Sequence, residues 1–111
     1  MTVRFRNSAL LEPDIVVCAP QAPTLDYVPI GDVRLAVEVA DTSLARDLAK
    51  AHDYGRANLA ELWILDLNGR QTLVFRTLNG TWTELSPVPF DQPLEALCLP
   101  GEALHIAPLT E

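Results

Sequence analysis

The dipeptide Asn-Gly occurs twice, at Asn68-Gly69 and Asn79-Gly80, and each time it separates two runs of strand-forming residues. Asn and Gly tolerate the positive φ of a tight hairpin turn, so this pair between apolar runs is a strong short-range signal for antiparallel pairing. Leu62-Trp-Ile-Leu-Asp-Leu67 before the first turn is too continuously apolar for an exposed edge. Its partner is predicted at about Gln71 to Leu78, and the second turn launches Thr81-Trp-Thr-Glu-Leu85. Three consecutive antiparallel strands follow, a meander with two turns setting its register.

Upstream the pattern changes. Asp14-Ile-Val-Val-Cys18 is a short β-branched run closed by Ala-Pro, as in a buried strand with Asp14 at its start. Residues 19–32 hold three prolines and a glycine and read as a surface connection. Val33 to Ala40 alternates: Val33, Leu35, Val37 and Val39 are assigned to one face, Arg34, Ala36, Glu38 and Ala40 to the other. Asp41-Thr-Ser43 supplies N-cap candidates for a helix from Leu44 to about Ala57, with Leu44, Leu48, Ala51 and Gly55 on its inner stripe. Asn58 suits the left-handed C-terminal cap, and a strand begins near Glu61. Short strands are expected at 96–99 and 103–106. The fold class is α/β, more narrowly α+β: a mixed sheet, one main helix and a C-terminal antiparallel meander. The 111 residues suffice for one domain, 1–111.

Composition removes several classes of function. Cys18 and Cys98 belong to no CxxC or Cys/His ligand pattern and read as reduced core residues. There is no glycine-rich phosphate loop, no nucleophile elbow and no zinc signature. The N-terminus lacks a signal-peptide core, and no run approaches the ~20 apolar residues of a membrane helix, so a cytoplasmic protein without membrane association is expected. A formal charge of -7 opposes non-specific attraction to nucleic acid, although paired metal-binding carboxylates themselves add negative charge.

The candidate chemistry lies in Asp14, Glu38 and Lys50: a carboxylate at a strand start, one inside the next strand, and a lysine on the following helix. Two carboxylates on neighbouring strands suit a hard cation such as Mg²⁺ (or Mn²⁺), which activates water and stabilises charge on a phosphodiester. Lys50 is the only lysine in the chain. At 100° per residue Ser43, Asp47, Lys50 and Tyr54 fall within roughly a 60° sector, so all four face one end of the sheet. Each residue also has an ordinary reading: Asp14 as a turn cap, Glu38 in a salt bridge to Arg34, Asp47 and Lys50 as a surface i,i+3 pair, and Tyr54 and Trp63 as core aromatics. His52 and His105 have no partners at metal spacing and are given no role.

The segments Glu12-Pro-Asp14-Ile-Val-Val17, Val37-Glu-Val-Ala-Asp-Thr-Ser-Leu-Ala-Arg-Asp47, Lys50, Tyr54, Glu61-Leu-Trp63 and Asp66-Leu67, with Leu99-Pro-Gly101 near the C-terminus, resemble the bacterial Uma family. Its members are restriction-endonuclease-like proteins of the PD-(D/E)xK superfamily. The resemblance runs from about Leu11 to the end. It implies Asp14 as the motif aspartate, Glu38 as the second acidic metal ligand, Lys50 as a lysine carried on the helix, and Ser43, Asp47 and Tyr54 as supporting residues. Ala40 occupies the place where an E-x-K motif keeps its lysine, and the step from Asp47 to Lys50 is one residue shorter than the family pattern.

The implied activity is metal-dependent hydrolysis of DNA phosphodiester bonds. The alternative is an inactive remnant of the nuclease fold acting as a binding or assembly module. Relative to that family the N-terminal region is short, which implies an open sheet edge. A homodimer, or a partner chain completing the sheet, is therefore expected.

Overall fold

The computed structural model describes residues 3–4, 10–11, 13–18, 28–29, 32–41 and 44–106. In chain order the elements are β1 (Val3–Arg4), β2 (Leu10–Leu11), β3 (Ile15–Cys18), β4 (Val28–Pro29), β5 (Val33–Ala40), α1 (Leu44–Arg56), β6 (Glu61–Asp66), β7 (Gln71–Leu78), β8 (Thr81–Glu84), β9 (Val88–Pro89), β10 (Leu94–Glu95) and β11 (Ala103–Leu104). The main sheet has the order β3-β5-β6-β7-β8, with β9 also on β7. β5 and β6 run parallel across the α1 crossover, and the other pairs of this sheet are antiparallel. This is the mixed α+β architecture expected from the sequence. Among the described residues no helix is long and apolar enough to cross a membrane.

Several local expectations change. β1 pairs with both β2 and β4 in a small second sheet, so part of the segment read as surface connection is paired strand. The C-terminal ladder is β10 with β11, and residues 96–99 are not strand; Cys98 lies among turns, half-buried and unbridged. Prolines at 93 and 100 and the left-handed Gly101 (φ 82°) confine pairing to short pieces there.

The alternation of β5 breaks once. Val17 pairs with Leu35 but Cys18 pairs with Val33, so Arg34 is an extra residue at a register shift. Val33 consequently packs with Ala36 and Ala40 against α1 rather than with Leu35 and Val37. The helix-side core gathers Ala51, Tyr54, Leu59, Leu62, Ile64, Leu73 and Phe75. The opposite face holds Leu35, Val37, Trp63 and Val74, closed by Leu94 and Ala96.

α1 ends as its sequence predicts. Asn58 takes φ 65°, its N–H donates to the Gly55 carbonyl (3.1 Å), and the Leu59 N–H reaches back to the Tyr54 carbonyl (3.1 Å). This is the paired bonding of a Schellman cap, which fixes the last turn carrying Tyr54. Gly55 has a second role: a Cβ there would lie 2.5 Å from Cδ1 of Trp82, whose ring stacks on Phe75 (centroids 5.9 Å apart). Gly55→Ala should gain about 1 kcal/mol of helix propensity yet lose about 1–3 kcal/mol to overpacking. We expect a net loss, read as a lower urea midpoint with unchanged m.

The second hairpin is the predicted two-residue turn: Leu78 pairs with Thr81, with Asn79 at φ 51° and Gly80 at φ 78°. The first is not. Asp66 pairs with Gln71 across a four-residue loop, and positive φ falls on Arg70 (52°). Here Gly69 donates its N–H to Asp66 Oδ1 (3.0 Å), and the Asn68 side-chain amide donates to the Asp41 carbonyl. With the Leu67 N–H bonded to the Ala40 carbonyl (3.0 Å), the loop is tied to the carboxyl end of β5.

Candidate active site

β3 and β5 are antiparallel with Ile15 opposite Val37, so extending the register by one residue brings Asp14 level with Glu38. Asp14 is exposed, and its Oδ2 accepts the Val39 N–H at 2.7 Å. That bond pins the carboxylate to the carboxyl end of β5, where the chain turns into α1. Glu38 points to the helix side and is only 4 % exposed. Its partner is not Arg34, which is exposed, but Tyr54: the phenol donates to Oε1 at 2.8 Å. Tyr54 is fully buried, as a core aromatic would be, and its hydroxyl is aimed at the carboxylate.

Asp47 and Lys50 are not an ordinary surface pair. Asp47 is 3 % exposed, and Lys50 Nζ stands 3.6 Å from its Oδ1. Trp63 is a core aromatic of the opposite face, and Ser43 lies outside the described residues. His105 is exposed, whereas His52 lines a groove of about 270 Å³ with Leu48, Ala51, Phe75, Trp82 and Glu84, a wall that includes none of the carboxylates named above.

Electrostatics binds these groups into one cluster. Burial pushes the Glu38 carboxyl above its ordinary 4.5; the Tyr54 hydrogen bond and the Lys50 charge pull it down, and Asp47 and Asp14 push it up again. The Tyr54 phenol is pushed far above its usual range, first by burial and then by Glu38, with Asp14 and Asp47 adding to the effect. Asp14, Glu38, Asp47, Lys50 and Tyr54 therefore share one field. A buried carboxylate with a raised pKa beside a specific cation is a pattern that clusters at functional sites.

One oxygen each of Asp14 and Glu38 is committed to a protein donor, and among the described residues none claims the other by a hydrogen bond. No group of three or more His, Cys, Asp or Glu among the described residues forms a cage for an ion. Two carboxylates with an oxygen each to spare are donors of the kind that hard divalent cations take.

The sequence reading gave no role to Glu61 and Asp66, both buried. Asp66 closes the β6–β7 loop; Glu61, on the face away from α1, accepts from Arg76, Trp63 and the Leu97 N–H. Each is a carboxylate inside an apolar run, and each stands in a segment that carries the family resemblance.

No curated protein matches the chain. The family model Uma2, described as "Putative restriction endonuclease", matches residues 1–107. With nearly the whole sequence matched, and a mixed α+β sheet with one helix consistent with a restriction-endonuclease-like fold, the chain belongs to the Uma2 family.

Proposed function

We propose that this protein is a metal-dependent endonuclease that hydrolyses DNA phosphodiester bonds. Asp14 and Glu38 hold a divalent cation, Mg²⁺ or Mn²⁺, and Lys50 assists the attacking water. The observation that carries this reading is the convergence of Asp14 and Glu38 at the carboxyl end of β5, with Glu38 buried and within the field of Lys50. When bound, such an ion acts as a Lewis acid and lowers the pKa of its water. The protein supplies the rest. Val39 fixes Asp14 through its backbone N–H, and Tyr54 fixes the rotamer of Glu38. The Lys50 ammonium has three donors to orient a water or meet phosphate charge.

The test is calorimetric titration of Mg²⁺ and Mn²⁺ into the wild type, Asp14→Ala and Glu38→Ala, followed by cleavage of supercoiled plasmid by all three. Binding and cleavage are expected in the wild type and both lost in each variant. A wild type that binds neither ion sinks the catalytic reading and leaves a non-catalytic binding or assembly module on the same fold.

A further inference from the structure

Lysine side chains on helices ordinarily extend into water, where their four-carbon stems sample many rotamers. Lys50 does not follow that pattern. Its side chain is only 33 % exposed, its ammonium lies 3.6 Å from Asp47 Oδ1, and that carboxylate is itself 5 % exposed. A charged carboxylate at that depth needs a partner to offset its lost hydration. The position two residues after Glu38 is held by Ala40, which is fully buried in the helix-side core and leaves no cation at that place on the strand. Arg34 on the same strand is exposed, and the cation whose charge acts on Glu38 is Lys50 of α1, which without an anchor would drift into solvent.

We propose that Asp47 is a positioning residue that holds the Lys50 ammonium in the field of Glu38 and so replaces the strand-borne lysine that Ala40 leaves out. The inference rests on the reading of Lys50 as the residue that assists the water. Asp47 touches no substrate in this scheme; it restricts the side chain that does.

Lys50 is the only lysine, so ¹³C-lysine labelling gives a single ε-methylene signal that reports this restraint. In the wild type the two ε protons should have distinct shifts, as in a held side chain. In Asp47→Asn they should merge into one averaged signal, and Asp47→Glu, which restores a carboxylate, should separate them again. Glu38→Gln should leave them separate, because Asp47 and not Glu38 is the anchor. In the plasmid assay Asp47→Asn should lower kcat at least tenfold while Mn²⁺ affinity by calorimetry stays within twofold. Averaged ε protons in the wild type overturn the proposal. So does a signal unchanged in Asp47→Asn, or one lost in Glu38→Gln. A wild type that fails to cleave defeats the catalytic reading of the site, and the lysine spectrum still decides whether Asp47 anchors Lys50. Should Asp47→Asn not fold, the wild-type and Glu38→Gln spectra decide the same question.

Discussion

Glu61→Ala is expected to destabilise the protein by about 3–5 kcal/mol, a large part of the 5–15 kcal/mol that holds a typical domain together. Glu61 is fully buried. Its Oε2 accepts from Arg76 Nε at 2.6 Å and Trp63 Nε1 at 2.9 Å, and its Oε1 accepts the Leu97 N–H at 2.9 Å. The carboxylate thereby joins β6 to β7 and fastens the segment after β10 over the sheet face away from α1. Alanine would leave the Arg76 Nε–H, an indole N–H and a backbone N–H without their acceptor, and unmade buried bonds cost more than made ones contribute. Glu61→Gln keeps acceptor capacity but loses the charge facing Arg76, so its loss should be smaller. The double replacement Glu61→Leu with Arg76→Met should recover only the part due to the stranded guanidinium, because exchanging a buried ion pair for apolar side chains is often near neutral while the Trp63 and Leu97 N–H groups still lack an acceptor. Urea unfolding of the four proteins reads these differences directly. An unchanged midpoint for Glu61→Ala would show that the network contributes nothing to the fold.

What the sequence made legible was local. The helix, its Asn58 cap and the meander depend on residues within a few positions of one another, and periodicity and turn chemistry report such interactions well. Glu61 and Arg76 lie fifteen residues apart, and their meeting depends on β6 and β7 pairing in one register. No window of sequence displays that. The extra residue at Arg34 was hidden for a similar reason: alternation in β5 reads as unbroken until β3 is laid beside it. The Asn68-Gly69 turn misled because Asn68 had a stronger use, its side chain reaching the Asp41 carbonyl across the end of β5. At the candidate site the residue types were legible and the partnerships were not. Arg34 was the nearest cation in sequence to Glu38, yet the parallel crossover brings the Tyr54 hydroxyl to that carboxylate and the Lys50 charge into its field from α1.

The second large effect separates activity from stability at one residue. Glu38→Gln should lower plasmid cleavage by about a thousandfold or more, since a catalytic cation supplies several kcal/mol of transition-state stabilisation and each 1.36 kcal/mol is tenfold in rate. The same variant should be more stable than the wild type at neutral pH. Burial raises the Glu38 carboxyl above its ordinary 4.5, so the folded chain holds that proton more tightly than the unfolded chain does. Between 4.5 and the raised value folding takes up a proton, and stability falls as pH rises. The Glu38 contribution is thus fully present below the unfolded pKa and lost above the folded one. Glutamine carries no titrating proton and still accepts from the Tyr54 hydroxyl, so it stays neutral across the window. We expect the two proteins to melt together near pH 4 and to diverge above it. By pH 8 the variant should lead by about 0.5–2 kcal/mol, the range that single stabilising substitutions commonly give. Saturating Mn²⁺ should reverse the order, adding about 2.7 kcal/mol to the wild type at a hundredfold excess over its Kd and nothing to the variant. A variant that melts below the wild type at pH 8 without metal would mean that Glu38 is held for the fold. The reversed order, with cleavage lost, would mean that a stability cost is kept for the cation.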